Sequence, residues 1–202
     1  TEMTLLAMPQ IKEVRVMDLR PEAVEKLIGK VSREFPQVKF TGYTDMAASI
    51  AGSDIIMTAV HGVGNTGGDI LDDVAFEPGV TVVKIAGGVS ASKFREKFDY
   101  VVLDFIDCFV HRINDTIGYM KEVFGKQMEP LTRDIADAEI GDVITGKVPG
   151  RHSDQEIVYA GGVGMSIEDL IVANDIYEKA KARAGGHGEG NQLPVGIPQL
   201  PL

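Results

Sequence analysis

A single cysteine, Cys108, leaves the chain unable to form a disulfide within itself, which excludes a small secreted scaffold held by cross-links. Long apolar runs are absent too, since no stretch approaches the roughly twenty apolar residues that a membrane-crossing helix needs. Nothing at the start reads as a secretory leader. Basic residues are few, with 20 Lys and Arg against 30 Asp and Glu, for a formal charge of -10. Binding to nucleic acid or to an anionic membrane surface needs clustered cations, and no basic run longer than a few residues occurs, so neither is expected as a partner. The four histidines, His61, His111, His152 and His187, are scattered without metal-ligand spacing, and no metal is assigned. Small molecules or other proteins remain as partners, in a reducing, cytoplasmic setting.

What is present suits one well-buried domain with an appendage, as 202 residues that are 44% hydrophobic allow. Strand-like runs at 13–18, 38–41, 54–60, 80–86 and 100–104 alternate with helical candidates at 21–35, 45–51, 90–98 and 107–124. Alternation of this kind predicts βαβ units, and runs such as IIMTAV and VTVVKIA, apolar through their length, predict helices on both faces. The expected fold class is α/β, a doubly wound, Rossmann-like parallel sheet. Residues 1–160 read as a dinucleotide-binding domain, and 161–202 as a C-terminal helix with a Gly- and Pro-rich tail.

The run VRVMD ends a strand at Asp18, where a carboxylate can accept hydrogen bonds from an adenine-ribose diol. In dinucleotide-binding folds that acidic residue follows the Gly-rich phosphate turn by about twenty residues. Counting back places the turn before Thr1, and residues 1–8, TEMTLLAM, read as the rest of the helix whose N-terminus holds the pyrophosphate. A fold incomplete at its N-terminus is therefore expected, as a fragment, a trimmed domain or one piece of a split protein. Asp18 disfavours a 2′-phosphate while Arg20 can accommodate one, so NAD is expected and NADP stays open. A literal G-x-G-x-x-G at 62–67 follows a strand, but an acidic, short continuation makes it read as a loop near the cofactor instead.

The stretch 141–169, GDVITGKVPGRHSDQEIVYAGGVGMSIED, packs a Pro-Gly-Arg turn, a short strand and a Gly-rich helix entry together. Ser166 followed three residues later by Asp169 resembles a capping box opening a helix with Leu170, Ala173, Tyr177 and Ala180 on one face. Arg151 reads either as a clamp for a phosphate or carboxylate or as a tie to Asp142 or Glu156.

The run GKVPGRHSDQEI, followed by VGMSIEDLIVANDIYEKAKARAG, resembles the C-terminal signature of the ornithine cyclodeaminase and mu-crystallin family, and the likeness extends through most of residues 5–185. The resemblance implies a nicotinamide dinucleotide, with Thr58 and Ala59 beside it and a substrate domain upstream. Ile85, Ala86, Gly87 and Gly88, after a strand, are placed to let backbone approach the nicotinamide ring. Lys93 matches a family lysine near the cofactor, with an ordinary surface role equally open. Val89 stands where cyclodeaminases carry an aspartate acid/base, and valine moves no protons. Gly162 replaces a family serine. Ser90 reads as a helix N-cap in preference to a hydrogen-bond donor at the site. The expected function is an NAD(P)-dependent enzyme of the ornithine cyclodeaminase type, acting on an amino acid or imine by hydride transfer. Alternatives are an imine reductase or amino-acid dehydrogenase, which Val89 favours, and a non-catalytic dinucleotide-binding homologue. A homodimer is expected, or a complement supplied by a missing N-terminal segment or chain.

Overall fold

The computed structural model describes residues 1–60, 70–86 and 88–185. The chain divides into two compact units, Thr1–Gly162 and a second that begins at Val163. In the first unit, α1 (Glu2–Ala7) leads into β1 (Glu13–Met17), α2 (Pro21–Glu34), β2 (Lys39–Tyr43), α3 (Met46–Ile50) and β3 (Ile55–Ala59). Then follow β4 (Thr81–Ala86), α4 (Phe94–Lys97), β5 (Tyr100–Leu103), α5 (Ile106–Phe124), β6 (Ala138–Glu139), α6 (Ile140–Ile144) and β7 (Val158–Gly161). Local chemistry explains several boundaries. Pro21 opens α2, where its missing N–H goes unneeded. Asp45 caps α3 by accepting from the Ala48 N–H at 2.7 Å, and Gly125, at φ +65°, closes α5.

Every strand pair is parallel, in agreement with a Rossmann-like sheet with flanking helices. Among the described residues two sheets form, one of β1 and β2 and one ordered β3-β4-β7-β5-β6. The terminal strands β1, β2, β3 and β6 each keep one edge without a partner strand among the described residues. All four residues of β5 are buried, as befits a strand covered on both faces. On one face Tyr100, Val102, Ala138 and Val158 pack with Ile140, Val143 and Val148. An aromatic cluster fills another part of the core, with Phe94 and Tyr159 fully buried and their ring centroids 4.2 Å apart. The expectation of strands apolar on both sides fails at β3, where Met57 and Ala59 are exposed while Ile56 and Thr58 are buried.

The second unit holds α7 (Ser166–Gly185). The expected capping box gives way to half of one, a position earlier, because methionine has no capping oxygen. Glu168 reaches back to the Met165 N–H at 3.3 Å, so Met165 stands at the cap and Ser166 is already helical. Ile167, Leu170, Ile171, Val172, Ile176 and Tyr177 are all exposed, so α7 carries apolar groups over more than a single face. Among the described residues no helix is long and apolar enough to cross a membrane.

Candidate functional site

In parallel α/β sheets ligands gather outside the carboxyl ends of the strands, and the site is built from what each end presents there. Beyond β1, Asp18 Oδ1 accepts the Arg20 backbone N–H at 2.9 Å and its Nε at 3.5 Å. The backbone bond above all, and then the guanidinium, hold the Asp18 carboxyl below the usual aspartate range. Its other oxygen takes no hydrogen bond among the described residues, and the side chain is 41% exposed. A free acceptor at a strand end is what a sugar diol requires.

At the ends of β3 and β4 the register slips by one residue, with Thr58 opposite Lys84 and Ala59 opposite Ala86. The extra residue is Ile85, which this bulge leaves 63% exposed, whereas Thr58 is buried. The Val60 N–H still donates to the Ala86 carbonyl at 2.9 Å. Gly88 has φ +139°, and a Cβ there would lie 3.3 Å from the Thr58 hydroxyl oxygen. Backbone therefore passes close to Thr58. Gly87, His61 and the 62–67 glycine motif lie outside the described residues.

Val89 is 1% exposed and belongs to the core. Ser90 sits at the N-cap position of a 3₁₀ turn, Ala91–Lys93, but its hydroxyl makes no capping bond. That expectation is corrected by a residue the sequence reading passed over. Ser90 Oγ donates to Asp72 Oδ2 at 2.6 Å, and the Ser90 N–H donates to Asp72 Oδ1 at 2.7 Å. Asp72 is 8% exposed. Lys93 Nζ donates to the Asp72 carbonyl at 3.3 Å and lies 4.0 Å from its carboxylate and 3.7 Å from that of Asp73. Both anions thus hold the Lys93 ammonium. The run DILDDVAFEPG read only as acidic, because no periodicity marks which of its carboxylates folds inward.

A second carboxylate stands where β5 ends beside β7. The Asp104 N–H donates to the Gly161 carbonyl at 3.1 Å, and Oδ1 accepts the Phe105 N–H at 2.7 Å. A Cβ on Gly162 would run into the Asp104 carboxyl, so the serine that the resemblance puts at 162 requires that carboxyl to move. Arg151 serves the turn, through Nη2 to Thr81 Oγ1 at 2.8 Å. Its expected partners are engaged elsewhere, Asp142 by Lys147 and Glu156 by His152. The His152 backbone N–H, foremost, holds the Glu156 carboxyl below its usual range. Cys108 is half-buried and free.

A profile of the ornithine cyclodeaminase/mu-crystallin family matches residues 1–184. N-((2S)-2-amino-2-carboxyethyl)-L-glutamate dehydrogenase of Staphylococcus aureus is 26% identical over 172 residues, which are 85% of this chain and 48% of that protein. A shorter likeness, 47% identical over 49 residues, joins 24% of this chain to 15% of the Delta(1)-pyrroline-2-carboxylate reductase of Bacillus cereus. Among solved structures, the Thermococcus litoralis Delta(1)-pyrroline-2-carboxylate reductase, in complex with NADH and L-proline, aligns with a TM-score of 0.69 at 21% identity. That alignment covers 90% of this chain and 55% of the other. The chain spans about half the length of the full-span relatives it matches.

Proposed function

This chain belongs to the ornithine cyclodeaminase/mu-crystallin family, and from that premise we propose that it forms the dinucleotide-binding part of an NAD(P)-dependent enzyme that transforms an amino acid through an imine. Residues 1–160 form the cofactor domain in this reading, and α7 packs on a substrate domain through its exposed apolar side chains, within a homodimer. When bound, the nicotinamide supplies or accepts a hydride. Asp18 accepts from the adenine ribose with its open oxygen, and Arg20, exposed beside it, tolerates a 2′-phosphate. The backbone of Ala86 and Gly88 lets the ring approach, beside Thr58.

The buried, apolar Val89 is the observation that selects the direction of chemistry. Cyclodeamination needs repeated proton transfers to nitrogen and water, whereas reduction of a protonated imine needs mainly placement. The reading supported best is therefore an imine reductase or amino-acid dehydrogenase rather than a cyclodeaminase. Stopped-flow absorbance of the reduced nicotinamide in the intact natural polypeptide tests it. Net NADH consumption on mixing with pyrroline-2-carboxylate is expected. Transient reduction of NAD by ornithine would instead establish cyclodeamination, and tight binding with no turnover would establish a binding protein.

A further inference from the structure

Asp72 is a buried carboxylate that grips the Ser90 segment. Both of its oxygens receive hydrogens from Ser90, at 2.7 Å from the backbone and 2.6 Å from the hydroxyl. A hydroxyl has one proton and two lone pairs, while a carboxylate has only acceptors to offer. The Ser90 proton is consequently committed to Asp72, and towards any ligand Oγ presents lone pairs alone. Ser90 is half-buried, two residues beyond Gly88, whose backbone passes Thr58. Lys93, 4.0 Å from the Asp72 carboxylate and bonded to the Asp72 carbonyl, secures the same segment from its other side. The adjacent Val89 faces the core and offers no polar atom.

Building on the amino-acid and imine reading above, we propose that Asp72 is a positioning residue that orients Ser90 Oγ as an acceptor for the N–H of a cationic substrate nitrogen. A carboxylate acting through a serine then serves the turn in which Val89 leaves no polar side chain. The pair selects ammonium and iminium groups and disfavours ligands that present only an oxygen acceptor there. A hydrogen bond backed by a charged partner is also stronger than that of an isolated hydroxyl.

The test uses the intact natural polypeptide in complex with NADH, titrated calorimetrically with L-proline and with tetrahydrofuran-2-carboxylate, in which a ring oxygen replaces the N–H. The wild type is expected to prefer proline at least tenfold. In Asp72→Asn the amide keeps the bond from the Ser90 N–H but donates to Oγ, which turns the serine proton outward. That variant is expected to lose the preference to within twofold and to gain affinity for the ether. Ser90→Ala should lose the preference without that gain, and Ser90→Thr, which keeps the hydroxyl, should retain it. A purely structural link predicts an unchanged ratio, so a tenfold preference persisting in well-folded Asp72→Asn or Ser90→Ala overturns the proposal alone. Binding of neither ligand to a wild type that holds NADH overturns it together with the amino-acid reading.

Discussion

Asp18 illustrates how far one side chain can be followed from sequence to chemistry. The run VRVMD marks a strand end, and the structure adds that one carboxylate oxygen is used by the Arg20 backbone while the other is open. Replacing Asp18 by Ala should weaken NADH binding to the intact polypeptide about tenfold, by fluorescence titration, with little change in melting temperature because the group is exposed. Its folded-state carboxyl lies below the ordinary range, so it stays charged on mild acidification. Any stability it lends is present above the ordinary aspartate value and lost as pH falls through the lowered one. NADH affinity should follow, staying flat from neutral pH to about pH 5 and falling only below the usual aspartate range. The pairing of Asp72 with Ser90 was illegible by contrast, because it joins residues 18 apart through a loop without a repeating pattern.

The boundaries of strands and long helices followed from local pattern, and the departures have local causes. The predicted helix at 90–98 is a 3₁₀ turn followed by the single turn of α4, held because Phe94 is fully buried against Tyr159. The two-residue β6 is too short for any period to register. At the ends of β7 and β5, size decides the sequence. Gly162→Ala should destabilise the chain by about 2 kcal/mol, since the added carbon meets the Asp104 carboxyl and overpacking carries that order of penalty. Urea unfolding measures it, and combining the change with Asp104→Ala should cost less than the two single changes added together. The bulge at Ile85 shows the opposite freedom, one residue accommodated within β4 while pairing with β3 resumes at Ala86.

At the scale of the molecule, composition and alternation were enough for an all-parallel α/β fold, but not for its sheet order. Strand β7 lies between β4 and β5 although more than fifty residues separate it from β5, and no local signal announces such an insertion. Nor did the pattern reveal that β1 and β2 stand as a separate sheet. A two-stranded sheet is marginal in water, and α2 and α3 supply the packing that holds this one. The outer edges of β1, β2, β3 and β6 give this chain, taken alone, a colloidal character. An unpaired strand edge is a row of amide groups able to template a foreign strand, and mutual repulsion among molecules carrying -10 opposes that association. Light scattering from residues 1–202 should therefore climb as salt is raised from about 10 mM to 1 M, where the screening length shrinks from about 30 Å to about 3 Å, and a short β-forming peptide added in excess should suppress the climb by occupying the rows first.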